Sequence, residues 1–236
     1  MTSESSPSTT SELDNSLAEF ARQGDAYQTA LCLAAGANAK ANESAALAWA
    51  ATHGHADCVE LLIPLSDPRS THSIALLLAA ENGHAKCVEL LIPVSGLGEP
   101  LCIALALAAE NGHVECAKIL LPIADAKHKN FYALQKAAFA GHGDCVSLLL
   151  PESAPLLDQP GFISDILWRG RADIVARALA FKPSLLDHLD LWHCWDNAGR
   201  DGNLELASFL NSLIERRSIA ESASSLGPLK AAGPRL

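Results

Sequence analysis

A Gly-His pair recurs at a fixed interval along the chain and constrains the fold more than any other feature of the sequence. The glycines of the four clear copies are Gly54, Gly83, Gly112 and Gly141, each 29 residues after the last. Each copy reads as small residues, the Gly-His pair and an apolar run that ends in proline. Self-similarity at such a period is typical of repeat proteins, in which neighbouring units stack into a solenoid.

Weaker copies extend this register on both sides of the four clear blocks. They lie around Gly24, Gly170 and Gly202, at intervals of 30, 29 and 32 residues from the preceding or following glycine. The series predicts a repeat domain of about seven units over residues 13–214.

The regions outside the clear repeats are predicted to be less regular. A weak sixth unit is expected near 152–190, where Ile166 and Leu167 replace the paired alanines of other units. Because poor interfaces in a stack open first, we expect a hinge or frayed boundary there. Residues 1–12 and 215–236, which are rich in small and polar side chains, are predicted to be disordered tails.

Within one unit the sequence predicts two short helices joined by a glycine turn. Residues 42–52 contain strong helix formers with small residues on one face, and Gly54 supplies the left-handed conformation that ends a helix. In the second helix apolar residues recur at i, i+1, i+4 and i+5 from Cys58, and Pro64 stops it. Helices this short are unstable alone, so each unit must stack on its neighbours. The predicted fold class is all-α, a solenoid of helical hairpins with short inter-repeat loops.

The repeated pattern resembles the ankyrin-repeat family. It reads L-x-x-A-A-x-x-G-H-x-x-C-V-x-x-L-[LI] from Leu47 to Ile63 and returns in register three more times. The family's Thr-Pro-Leu-His start of the first helix is absent, and the period is 29 residues instead of about 33. Residues 32–40 are similar to the start of the family's β-hairpin, but elsewhere proline-led junctions replace it. We therefore expect short loops where the family projects long ones.

The resemblance implies that the two residues before each turn glycine, together with the inter-repeat loops, line a concave binding face. Carried over to this sequence, the partner-binding positions are Thr52, His53, Glu81, Asn82, Glu110, Asn111, Phe139, Trp168 and Arg169. This row is polar and acidic in its middle, and Phe139 and Trp168 add the apolar area that is found at protein interfaces. Alternatively, the two Glu-Asn pairs only make their turns soluble.

His-x-x-Cys recurs in all four clear units, and two such ligands on one helix could form half of a zinc site. The pairs are His55 and Cys58, His84 and Cys87, His113 and Cys116, and His142 and Cys145. Equivalent atoms of stacked helices lie about 8–10 Å apart, whereas zinc requires ligands within about 2.3 Å and a disulfide requires Cα atoms within about 7 Å. We therefore expect no metal, no cofactor and no disulfide. The cysteines should pack as small hydrophobes and the histidines should brace the turns.

The charge of the chain limits its partners. It has 17 Lys and Arg against 27 Asp and Glu, and residues 1–160 alone hold 8 basic and 18 acidic side chains. Such a surface repels phosphate backbones, so we expect no nucleic acid but a protein partner with a basic surface. The chain starts without a signal or transit pattern, and no segment has the roughly 18 apolar residues of a membrane span. We expect a cytoplasmic monomer with reduced cysteines and no membrane partner.

The sequence contains no G-x-S-x-G elbow, Walker loop or H-E-x-x-H pattern. We therefore predict a non-enzymatic protein-protein interaction module that binds its partner through the concave repeat face. An alternative is a bacterial effector delivered into a host cell, with the Ser/Thr-rich start as its secretion address. A third hypothesis is an enzyme or a metal protein. The aromatic residues at 191–195 are predicted to pack in the last repeat through Trp195, or else to anchor a partner.

Overall fold

The computed structural model describes residues 7–124, 126–153, 171–188 and 190–225 of the chain. These residues form α-helices and short 3-10 turns, and no strand occurs among them. The chain divides into two compact units, residues 1–156 and 157–236. The prediction of an all-α repeat fold is confirmed for the part of the chain that is described.

The helices of the first unit form five consecutive pairs, each with the repeat glycine between its two members. Their bounds are α1 Pro7–Gln23 and α2 Ala26–Ala34; α3 Ala41–Thr52 and α4 Ala56–Leu62; α5 Ser70–Glu81 and α6 Ala85–Leu91; α7 Glu99–Glu110 and α8 Val114–Leu120; α9 Ala126–Ala140 and α10 Gly143–Ser153. First helices pack on first helices and second helices on second helices, in chain order. The unit is therefore a two-layered stack.

The core of this unit is built from equivalent positions of successive pairs. In α5 the buried residues include Leu76, Ala79 and Ala80, and in α6 they include Cys87 and Leu91, all with no exposed surface. Burial of each leucine stabilises the fold by about 1.5–3 kcal/mol. The paired alanines are small, so neighbouring first helices can approach closely. The stripe of small residues that the sequence predicts is thus part of the core.

The glycine turns end the first helices as predicted. Gly54 has a φ of +78°, which lies in the left-handed region. The amide of His55 donates to the carbonyl oxygen of Ala50 at 2.9 Å and closes the helix end. The turn at Gly83 repeats this bond, from the amide of His84 to the carbonyl oxygen of Ala79 at 2.9 Å.

The junctions between pairs are short turns without a hairpin, including the stretch at 32–40 that is similar to the family's hairpin start. Two of them end in a left-handed turn: residues 42–44 and 71–73 have φ angles between +48° and +64°. The prediction of regular helix over 42–52 is therefore wrong for its first residues.

A hydrogen bond to the next junction explains these left-handed turns. The buried hydroxyl of Ser44 accepts from the amide of Asp67 at 2.9 Å, and that of Ser73 accepts from the amide of Gly96 at 3.0 Å. These contacts join each turn to the following repeat and offset part of a conformational cost of about 1–2 kcal/mol per residue.

The second unit contains three described helices, α11 Ala172–Phe181, α12 Leu191–Arg200 and α13 Leu204–Ser225, with a 3-10 turn at Pro183–His188. Gly202, with a φ of +73°, lies between α12 and α13. The glycine-turn register therefore continues into this unit. None of the described helices of the chain is long and apolar enough to cross a membrane.

Trp195 does not occupy the core position that its repeat register predicts. Its side chain is 38% exposed, and its ring meets that of Trp192 edge-on at a centroid distance of 5.9 Å. The buried stripe of α12 is Leu191, Cys194 and Ala198. These residues follow a spacing of i, i+3 and i+7, so Trp195 lies beside the stripe and not within it.

The helix bounds extend into both predicted tails. α1 begins at Pro7, where proline suits the first turn of a helix because its missing amide hydrogen would be unpaired there. α13 continues to Ser225, and Arg217 within it pairs with Glu221 at 3.1 Å. Of the predicted weak sixth unit, residues 154–170 lie outside the described residues.

Candidate functional site

The predicted binding positions fall at the ends of successive first helices. Thr52, Glu81 and Glu110 are the last residues of α3, α5 and α7, and Phe139 is the last but one of α9. His53, Asn82 and Asn111 follow as the C-terminal caps. The repeat thus places these seven side chains in two parallel rows across the stack. Trp168 and Arg169 lie outside the described residues.

The asparagines of the Glu-Asn pairs complete their own helices. The side-chain amide of Asn82 donates to the carbonyl oxygen of Leu78 at 2.8 Å, and that of Asn111 to the carbonyl oxygen of Leu107 at 2.9 Å. The hydroxyl of Thr52 bonds to the carbonyl four residues earlier at 2.7 Å. The backbone amides of Asn82 and Asn111 donate to the same two carbonyl oxygens, so the side-chain bonds reinforce the helix ends. They favour a structural role for the asparagines themselves.

The acidic and aromatic members of the row are more available. Glu110 pairs with Lys136 at 2.8 Å, and this hydrogen bond raises the pKa of the lysine. Glu81 is exposed and forms no ion pair with any described residue. The ring of Phe139 is 41% exposed. The row therefore presents an unpaired carboxylate and an aromatic surface to solvent.

Sequence reasoning missed an adjacent set of side chains, which we call the first-helix strip. Its members are Ala45, Trp49, Ile74, Leu78, Ile103, Leu107, Tyr132 and Lys136, all half-buried or exposed. They lie one and two helical turns before the predicted row and on the same side of each helix. The signal was present in the repeat, because the position of Trp49 is apolar in three of the four clear units.

Aromatic side chains mark both ends of the first-helix strip. Trp49 and His53 lie with ring centroids 5.9 Å apart, and His53 stacks on His55 at 6.1 Å. At the other end the ammonium group of Lys136 lies 5.4 Å from the ring centre of Tyr132. Between them the strip is aliphatic, and it is bordered by the carboxylates of the predicted row.

Each histidine of the Gly-His pairs braces the turn of the preceding repeat. The Nε2 atom of His84 lies 3.0 Å from the carbonyl oxygen of Thr52, and that of His113 lies 2.9 Å from that of Glu81. The rings cover the preceding glycines: a Cβ at Gly54 would lie 2.5 Å from the Nδ1 atom of His84. The histidines thus brace the turns across the interface between two repeats. The backbone that they contact belongs to predicted binding residues.

The repeated cysteines form a buried ladder between the layers. All seven cysteines of the chain are free and buried, and those of the four clear units have no exposed surface. Burial raises the pKa of Cys87, Cys116 and Cys145 to about 11, so these thiols are protonated near neutral pH. No group of three or more His, Cys, Asp or Glu side chains within the described residues could hold a metal ion.

Comparison with known proteins identifies the repeat. The family model described as ankyrin repeats, three copies, matches residues 17–99 and 99–159, more than half of the chain. The crystal structure of the human ASB11 ankyrin repeat domain is similar, with a TM-score of 0.60 and 22% sequence identity. That match covers 70% of this chain and 83% of the other, and it shows the fold alone. No curated protein sequence matches the chain significantly.

Proposed function

We propose that this chain, which belongs to the ankyrin-repeat family, is a non-enzymatic module that binds a partner protein through the concave face formed by its first helices and turns. Ankyrin repeats in general mediate protein-protein interaction. The observation that carries the proposal is the first-helix strip, a mainly apolar surface of exposed and half-buried side chains that crosses four successive repeats beside the predicted row. Continuous exposed apolar surface with a polar border is characteristic of interaction sites.

The chemistry of this face favours a basic protein partner. Aromatic side chains are the usual anchors of protein interfaces, and Trp49, Tyr132 and Phe139 are each more than 40% exposed. The partner-binding positions proposed from the sequence are retained, including Trp168 and Arg169. The excess of 18 acidic over 8 basic residues in 1–160 would attract a positively charged surface and repel nucleic acid. We further propose a cytoplasmic monomer without a membrane partner.

The repeated histidines and cysteines of the first unit are hydrogen-bonded or buried. The Nε2 atoms of His55, His84 and His113 bond to backbone carbonyl oxygens. The thiols of Cys87 and Cys116 are buried, with a pKa raised to about 11. A nucleophile must be accessible and activated, so these side chains fit a structural role and not a catalytic one.

Affinity capture tests the proposal with the full chain immobilised beside a variant that carries Phe139→Glu and Trp168→Glu. We expect a bound protein that the variant loses, because buried charge opposes an apolar contact. Leu97→Glu is a matched control, since Leu97 is 80% exposed in a junction. Capture of the same proteins by all three folded chains would contradict the proposed face.

The alternative function, delivery into a host cell, rests on residues 1–12 alone. A translocation reporter fused to residues 1–30 tests it.

A further inference from the structure

A groove of about 360 Å³ lies between α3 and α5 in the first unit. Its surface is mainly apolar and includes Trp49 of α3 with Ile74 and Leu78 of α5. The indole of Trp49 is 45% exposed, so a ligand can reach it. The groove is part of the first-helix strip and has room for a large apolar side chain.

A carboxylate is fixed at the rim of this groove. The hydroxyl of Thr71 donates to Oε2 of Glu43 at 2.5 Å, which joins the left-handed turns of two successive units. No described lysine or arginine pairs with Glu43. Of the described residues that line the groove, only Glu43 is charged, and its carboxylate is held in place by Thr71 before any ligand binds.

Acidic side chains predominate around the groove. Residues 40–94 hold six acidic and three basic side chains. Of the bases, Lys86 pairs with Glu89 on α6 at 3.2 Å, and Nε of Arg69 donates to the carbonyl oxygen of Val94 at 3.4 Å. No described basic side chain forms an ion pair with Glu43. An acidic or phosphorylated segment would be repelled at this surface, whereas a basic one would be attracted.

We propose that this groove binds a short basic segment of a partner protein, with one apolar side chain against Trp49 and a neighbouring Lys or Arg at Glu43. The inference rests on the proposed function, because it assigns an occupant to one part of the same face. The apolar side chain gains from the removal of groove and ligand surface from water. The cation gains a charge-assisted hydrogen bond to a carboxylate that is already ordered.

The probe for this proposal is a library of random 12-residue peptides displayed on phage and selected on the intact protein. Peptides that bind the support without the protein are removed first by counter-selection. We expect the enriched peptides to share an apolar residue within two positions of Lys or Arg. A synthetic consensus peptide should bind Trp49→Ala at least about tenfold more weakly than the native chain, as is usual when an aromatic anchor is truncated. Glu43→Gln should weaken it several-fold at low salt and reduce the salt dependence.

Trp192→Ala is the matched control, because it removes an indole that is 63% exposed in the second unit. It should leave binding of the consensus peptide unchanged. Leu78→Gln provides a second groove variant, and circular dichroism must show that each variant is folded. Acidic enriched peptides, peptides that bind Trp49→Ala as tightly as the native chain, or no enrichment after the counter-selection would overturn the proposal.

A third variant separates failure of this groove from failure of the proposed face. If enriched peptides resist Trp49→Ala and Leu78→Gln but lose binding with Phe139→Glu, the concave face stands and the groove assignment is wrong. If they resist all three substitutions, both are wrong.

Discussion

The Nε2 atom of His84 lies 3.0 Å from the carbonyl oxygen of Thr52, which belongs to the preceding unit. The same imidazole covers Gly54, where no side chain would fit. The glycine and the histidine of one pair therefore belong to two successive interfaces between repeats. Each histidine packs on the glycine of the preceding repeat, and this contact recurs along the stack.

His84→Ala is expected to destabilise the first unit by about 1–2 kcal/mol. It removes a hydrogen bond and leaves a partly buried carbonyl oxygen unpaired. Urea denaturation followed by circular dichroism measures the change in the free energy of unfolding. His72→Ala is the control, because His72 is exposed. Equal effects of the two substitutions would contradict the bracing role.

Gly54→Ala is expected to destabilise the fold more than Gly36→Ala. Both glycines have positive φ angles, +78° and +94°, so both substitutions carry the left-handed penalty of about 1–2 kcal/mol. A Cβ at position 54 would also meet His84, whereas at position 36 it would meet nothing within 4 Å.

A double-mutant cycle isolates the contact between Gly54 and His84. In a His84→Ala background the steric part of the Gly54→Ala effect should disappear, so its cost should fall to that of Gly36→Ala. Strict additivity of the two substitutions would show that the glycine and the histidine do not act on each other.

Stability is expected to fall as the pH rises from about 9 to 11. Burial raises the pKa of Cys87, Cys116 and Cys145 to about 11 from an ordinary value of 9.0. In this window the unfolded chain releases thiol protons that the folded chain retains, so deprotonation favours unfolding. The contribution is intact below pH 9 and is lost through the folded pKa. Denaturation at several pH values should show a shallower slope for Cys116→Ala, and an unchanged slope would refute this explanation.

The seven thiols should be inert in the folded protein. Burial slows their reaction with a disulfide reagent, because the reagent cannot reach the sulfur atoms. We expect seven rapidly reacting thiols in urea and slow reaction in native buffer. Metal analysis of the same samples should find far less than one zinc ion per chain. Near-stoichiometric zinc, or fast labelling of the native thiols, would contradict the buried ladder.

The sequence was sufficient to predict the features that depend on local spacing. The register of Gly54, the burial of Cys58 and the two-helix unit follow from periodicity and from the conformational freedom of glycine. The left-handed turn that ends at Ser44 could not be predicted, because it depends on a hydrogen bond to Asp67 in the next junction. The exposure of Trp195 was also missed, since its register position does not fix the rotation of α12.

The candidate site also contains one part that the sequence could predict and one part that it could not. The row through Glu81 and Phe139 came from the resemblance, and its regular placement follows from the repeat. The groove at Trp49 required coordinates, because its rim depends on a contact between Glu43 and Thr71, which are 28 residues apart. Contacts between side chains of two repeats depend on how the repeats stack, which the spacing of residues in the sequence does not determine.

Photo-crosslinking tests the central claim, that the first-helix face binds protein, most directly. A photoreactive phenylalanine analogue replaces either Glu81, at the exposed end of α5, or Glu89, exposed on α6. The two glutamates belong to one repeat but to different helix layers. The two substitutions therefore make the same chemical change on different faces of the stack. We predict a covalent protein adduct from position 81 and none from position 89. An adduct from position 89 alone would contradict it.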